Sequence, residues 1–194
     1  MSFDRLFKFE QDLAKYTGAP YVVATDGCTH ALELCFRYDR PLFLAFTAYT
    51  YLSIPMLMHQ LEINYVYTSE EWTGEYQFHG TRIWDSARRL EPGMYRPGQM
   101  QCLSFGYSKP MEVGKMGAIL LDDEQAYGEI SCWRSDGRDL RVVPWHSVRI
   151  YGSGWHYCPT LEDCAQALEK LPFVDQEPKY QEYPDLRTID FKFT

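Results

Sequence analysis

An α/β fold, built as a three-layer sandwich with a mostly parallel sheet between helices, is what this sequence predicts. Three observations carry that expectation. Short apolar runs of strand length recur along the chain, segments with near-helical spacing of apolar residues stand between them, and turns bearing Gly, Asp or Pro separate the two kinds. Strands that alternate with helices stack as a sheet covered on both faces. In such folds ligands sit beyond the carboxyl ends of the strands.

The elements follow in order. Residues 2–16 place Phe3, Leu6, Phe7, Leu13 and Tyr16 near helical spacing, and Gly18 stops that helix. Tyr21 to Thr25 reads as a buried strand, and the turn Asp26-Gly27-Cys28 leads into a helix from about Thr29 to Arg37. Leu42 to Phe46 is a strand, residues 50–61 a helix that tolerates Pro55 only near its first turn, and Ile63 to Tyr67 a strand. Residues 68–80 are polar and Gly-bearing and read as loop. Arg82 to Asp85, Gln101 to Phe105 and Gly117 to Leu121 read as strands, the last followed by a helix from Asp123 to about Arg134. Beyond residue 136 the pattern decays. Thr160-Leu161-Glu162-Asp163 has the form of a helix cap, for a helix running to about Leu171. The tail from Pro172 to Thr194 reads as an arm lying on a partner or as a partly disordered end.

Composition narrows the function. The 194 residues fit one domain, or one domain with a small appendage. A net charge of −8 without a basic stripe disfavours nucleic acid. MSFDRLFKFE lacks the shape of a signal peptide, and no apolar run is long enough to span a bilayer. The six cysteines form no C-x-x-C pair, so no metal site is expected and free thiols in a reducing cytoplasm are. Aromatics at 16% fit a core ahead of a pocket or an interface, while the load at Trp133, Trp145, Tyr151, Trp155 and Tyr157 fits an interface ahead of the core.

Three strand ends carry chemistry. Asp26-Gly27-Cys28-Thr29-His30 turns into a helix, whose N-terminus suits a phosphate as well as it suits a plain capped turn. Trp84-Asp85-Ser86-Ala87-Arg88 sets a carboxylate at a strand end, where it needs a cation or strong donors. A protonated pyridine nitrogen would serve, and so would Arg88 or Arg89. Ser104-Phe105-Gly106-Tyr107-Ser108-Lys109-Pro110 ends a strand on a lysine. Partly desolvated, such a lysine attacks an aldehyde; on an open surface it is a solvated charge.

The block from Cys102 through Lys109 to Gly117-Ala118-Ile119-Leu120-Leu121-Asp122-Asp123 resembles the sugar aminotransferase (DegT/DnrJ/StrS) family of fold type I enzymes, which depend on pyridoxal 5′-phosphate (PLP). Lys109 falls on the family's lysine and Asp85 on its E-D-A-A-Q aspartate. Asp26 to Leu34 falls on the phosphate-binding S-N-G-T-D-A-L segment, Thr50-Tyr51 on the T-F aromatic, and Gly154 to Cys158 on G-F-N-Y-R. The resemblance covers most of residues 9–171. It implies a fold type I PLP-dependent transferase-like large domain over residues 1–136. Residues 137–194 would then be a C-terminal segment with one helix and a tail that forms a dimer contact, and the small C-terminal domain would be largely missing. It also implies roles: Lys109 bonds the cofactor and shuttles a proton, Asp85 holds the pyridine nitrogen, Gly27, Cys28, Thr29 and Ser104 hold the phosphate, and Tyr51 stacks on the ring.

The chain departs from the family in places. Arg88 stands where the family has Gln, and is counted among the cofactor-binding residues. Cys28 replaces a Gly, Lys115 a Glu, and His156 and Cys158 replace the Asn and Arg that reach across the dimer. His156 still offers a donor to the neighbour's phosphate; Cys158 offers no grip on an anion. The resemblance implies a homodimer with shared active sites that moves an amino group from an amino-acid donor to a keto sugar or another small carbonyl compound. Two alternatives stay open: a PLP-dependent dehydratase, lyase or racemase, and a catalytically silent or regulatory relative.

Overall fold

The computed structural model describes residues 3–147, 150, 152–174 and 182–192. The first helix, α1 (Asp4–Thr17), buries Leu6, Phe9 and Leu13 at the spacing of an amphipathic helix. Gly18 ends it at φ 77°, a left-handed conformation that glycine adopts without a Cβ penalty, and its N–H donates to the Ala14 carbonyl. The chain then runs through β1 (Tyr21–Thr25), α2 (Cys28–Asp39), β2 (Phe43–Thr47), α3 (Ser53–Gln60) and β3 (Asn64–Thr68). After these come β4 (Tyr76–Gln77), β5 (Ile83–Asp85), β6 (Met100–Ser104), β7 (Gly117–Leu121), α4 (Glu124–Trp133) and α5 (Leu161–Lys170).

The strands form a five-stranded sheet in the order β1-β7-β6-β5-β4 and a parallel pair, β2-β3. The two are joined where Ala45 and His79 exchange backbone hydrogen bonds of 3.1 and 2.8 Å. Relative to β6, the strands β1, β2, β3 and β5 run the same way, and β4 and β7 run against it. The expected mostly parallel arrangement therefore holds for strand direction. It does not hold for the ladders: in the five-stranded sheet only β5-β6 is parallel, because a reversed strand makes each of its pairings antiparallel. The loop expected over 68–80 needs correction too. Tyr76 and Gln77 pair with Asp85 and Trp84, in a strand defined by its partner and too short to show a period of its own.

Helices cover both faces. Val23, Cys102, Ile119 and Leu121 point into one core with Ala31 and Leu34 of α2, Leu57 of α3 and Ile130 of α4. Their neighbours Val22, Leu103, Ala118 and Leu120 point into the other, with Leu6, Phe9 and Leu13 of α1 and Cys164 and Ala167 of α5. Strands buried on both faces read as continuous apolar runs, which is why β1 and β7 stand out in the sequence. The side chain of Thr160 accepts from the Asp163 N–H at 3.0 Å and starts α5 as expected.

The described part of the tail is ordered against its own chain: Leu186 is buried and its N–H donates to the Ala48 carbonyl at 3.0 Å. Tyr151 and the side chain of Trp145, which the interface expectation includes, lie outside the described residues. Among the described residues no helix is long and apolar enough to cross a membrane, and no group of side chains could hold a metal ion.

Candidate active site

A cavity of about 530 Å³ opens at the carboxyl ends of β1, β2, β5 and β6. Eight of the nine residues singled out from the sequence line it: Gly27, Cys28, Thr29, Tyr51, Asp85, Arg88, Ser104 and Lys109. Lys115 lines it as well, with its side chain 79% exposed and its Nζ 3.8 Å from Asp26.

At one end the cavity meets the first turn of α2. Gly27 precedes that turn in an extended conformation, and no side chain caps it. Its free N–H groups and the positive end of the helix dipole favour an anion. Thr29 is held by a 2.9 Å hydrogen bond between its Oγ1 and Ser53 Oγ. Behind the turn β7 passes so closely that a Cβ on Gly117 would stand 2.6 Å from the Cys28 nitrogen. The strand leading into the turn is fixed from the other core. The Ala24 N–H donates to Glu10 Oε1 at 2.9 Å, the Ala24 carbonyl accepts from Arg134 Nη1 at 2.8 Å, and Glu10 and Arg134 are themselves ion-paired.

Asp85 ends β5 with 5% of its surface exposed. Its Oδ1 accepts from the Ala87 N–H at 3.0 Å and its Oδ2 from the Tyr76 hydroxyl at 3.1 Å, while Tyr76 also bonds Thr50 at 2.7 Å. Burial pushes the Asp85 carboxyl up, against the pull of the Ala87 N–H, Lys109, Tyr76 and Arg88. Neither neighbouring arginine pairs with it. Arg89 goes to Glu75 and Glu91, and Arg88 goes to Ser108.

Lys109 follows β6 and is half-buried. Burial and the charge of Arg88 push its amine below the ordinary lysine range, with Asp85 and Cys28 pulling the other way. Among the described residues its Nζ has no hydrogen bond or ion pair. The residue before it, Ser108, sits at φ 58°, a strained backbone for a residue with a Cβ. Arg88 holds that conformation: its Nη1 donates to the Ser108 carbonyl at 2.8 Å. Arg88 is 4% exposed and its Nε has no partner.

Two placements differ from the rest. Tyr51 stands at the rim, 62% exposed. His156 lies outside the cavity, with an exposed side chain 3.1 Å from Asp136. The structure adds residues that sequence reasoning missed: Tyr76 and Thr50 behind Asp85, and Trp72 and Tyr183 in the cavity wall. Tyr76 and Trp72 fall in the stretch read as loop, and Tyr183 in the aperiodic tail, so no local pattern marks them.

No family model matches the chain, and no curated protein matches it. Solved structures do. The chain is similar to Helicobacter pylori PseC, an aminotransferase involved in the biosynthesis of pseudoaminic acid, at 15% identity and a TM-score of 0.72, over 87% of this chain and 58% of that one. AtS13 from Actinomadura melliaura matches at 19% identity and TM-score 0.75, over 90% and 61%. Spr1654 from Streptococcus pneumoniae, assigned as a sugar aminotransferase and solved in a PLP form, matches at 15% identity and TM-score 0.69, over 88% and 59%. The chain has the fold of these proteins and spans about 60% of their length.

Proposed function

We propose that the cavity binds PLP and that the chain transfers an amino group from an amino-acid donor to a keto sugar or another small carbonyl compound. The observation that carries this reading is the pairing of an amine with no partner and a lowered pKa, on Lys109, with a buried carboxylate, on Asp85, that has neutral donors but no cation. The residues fit the cofactor in three ways. The uncapped turn of α2 offers N–H groups to a phosphate, the Asp85 carboxylate lacks the positive partner that a protonated ring nitrogen would be, and Lys109 is free to attack an aldehyde.

When bound, PLP supplies an electrophilic aldehyde carbon and a ring that accepts electrons. The protein does the rest. Cys28 and Thr29 bind the phosphate through backbone N–H groups, with the Ser104 hydroxyl beside them. Asp85 keeps the ring nitrogen charged, and Tyr76 and the Ala87 N–H hold the carboxylate in place. Arg88 fixes the Ser108 turn and so orients Lys109. Lys109 Nζ would hold the cofactor's aldehyde carbon and, when free, would take up and return a proton at the donor's α-carbon, a task that suits an amine with a lowered pKa.

The purified protein is expected to take up PLP with a yellow band, and borohydride should fix the cofactor on the peptide carrying Lys109. Trapping on another lysine, or undiminished trapping in Lys109→Ala, defeats the assignment.

We also infer a homodimer in a reducing compartment such as the cytoplasm, where the six free cysteines would stay reduced. Its motivation is His156, exposed and not among the residues that line its own cavity, on the segment that resembles the one by which the family reaches across the dimer. His156→Ala should weaken PLP binding without unfolding the chain. Sedimentation as a monomer that still holds PLP tightly would refute this arrangement.

A further inference from the structure

Residues 182–192 reach the cavity from the end of the chain, and within their own subunit. Leu186 is the anchor, 2% exposed and hydrogen-bonded through its N–H to Ala48. Arg187 steadies it, with Nη1 2.8 Å from Ser69 Oγ, its guanidinium 5.9 Å from the centre of the Tyr49 ring, and Asp185 Oδ2 2.6 Å from Nη2. Ala48, Tyr49 and Ser69 follow the carboxyl ends of β2 and β3. The segment therefore crosses the edge of the sheet on which the cavity opens.

Tyr183 stands three residues before the anchor and enters the cavity wall. Its ring lies against Trp72, with centroids 5.8 Å apart and planes 18° from parallel. Trp72 is itself fixed by a 2.7 Å bond from its Nε1–H to the Tyr49 carbonyl. The Tyr183 hydroxyl meets the Arg88 guanidinium, which lines the same cavity and holds the turn before Lys109.

We propose that residues 182–192 are a built-in strap that closes the cofactor cavity in cis, with Tyr183 as the wall residue between Trp72 and Arg88. Only the identity of what is covered rests on the PLP reading. Ordering this segment costs backbone and side-chain entropy, which the buried leucine and the stacked ring offset. The gain for the site is the exclusion of water beside Asp85 and Lys109, which strengthens the interactions of both with a bound group. Tyr183 is a positioning residue in this sense. It closes the wall and backs the arginine that orients the lysine.

Cys28 reports on the strap. It lines the cavity and is partly exposed, whereas Cys35 and Cys164 are fully buried in the two cores. The full chain, without added cofactor, is labelled with iodoacetamide, and the labelling rate of the Cys28 peptide is divided by those of the Cys35 and Cys164 peptides. Tyr183→Ala should raise that ratio about tenfold, the factor by which ~1.4 kcal/mol shifts a local opening equilibrium. Tyr183→Phe keeps the ring against Trp72 and should stay within about twofold of the parent. A ratio unchanged in Tyr183→Ala overturns the strap, whether the three rates rise together or none moves. A Phe variant as open as the Ala variant transfers the effect to the hydroxyl and defeats the wall. Failure of the parent protein to take up PLP would instead defeat the proposed function, with the Cys28 ratio still deciding the strap.

Discussion

Two kinds of carboxylate stand around this one sheet, each with most of its side chain out of solvent. Glu75, just before β4, is saturated: its oxygens meet Arg89, Arg96, the Ser86 hydroxyl and the Gln101 amide. Glu10, in α1, is likewise matched by the buried guanidinium of Arg134. Asp85 has comparable burial and only neutral donors within hydrogen-bond reach. The first two are closed accounts of charge that tie segments together. The third leaves a negative charge facing a cavity, which favours a cationic group brought in from outside. The pKa directions follow the same divide. For Glu75, burial pushes up but Arg96, Ser86 and Arg89 together win and hold it below the usual carboxylate range. For Asp85 burial wins.

The sharpest way to break the contrast is at Glu10. Glu10→Ala leaves Arg134 charged and unpaired in the core, and thermal or denaturant unfolding should show a loss of about 3–5 kcal/mol. A loss under about 1 kcal/mol, the scale of a surface pair, would mean the pair does not tie the strand to the helix layer.

Glu75→Gln comes next, at about 2 kcal/mol, discounted because the Arg96 side chain is more than a third exposed. Its folded pKa lies below the unfolded one, so its contribution is present above the ordinary glutamate range and lost as pH falls through the lowered value. The variant should therefore lose most at neutral pH and converge with the parent in acid. A constant difference at all pH values would contradict this.

Asp85→Asn should act in the opposite direction and most weakly. Its folded pKa is raised, so the parent loses stability as pH rises from the ordinary aspartate range through that raised value. Without cofactor, the variant should be more stable at neutral pH, with the gain vanishing in acid. With amino donor present its turnover should nearly disappear, as the ring nitrogen loses its counter-charge. A variant destabilised at neutral pH would show that the carboxylate is structural after all, and would erase the comparison.

Much of this was legible in the sequence, for physical reasons. Tyr21 to Thr25 and Gly117 to Leu121 are buried on both faces, so their apolar runs declare them. Asp85 and Lys109 stand at strand ends, where an α/β sheet gathers its ligand-binding groups, and their spacing matches a known pattern. What the sequence hides is fixed by distant partners. Tyr76 is a strand residue only because Asp85 lies opposite, and Tyr183 belongs to the cavity only because Leu186 finds a seat at Ala48. His156 sits outside its own cavity, and only a second chain would give it the role its position resembles.

The β4–β5 hairpin has one further consequence, for how the site is assembled. Asp85, the Tyr76 that bonds it, the Arg88 that steadies the lysine turn and the Glu75 that gathers Arg89 and Arg96 all come from residues 75–88. Closing a loop of that length costs little configurational freedom, and each doubling adds only about 0.6 kcal/mol. The acidic half of the site is thus a contiguous cassette whose internal geometry is set by near neighbours in the chain. The basic half, Lys109, follows a strand paired to β5, and the Arg88 guanidinium ties its turn to the cassette. An insertion between residues 89 and 100 would lengthen the tether between the halves and, by displacing Arg96 from Glu75, loosen the acidic half as well.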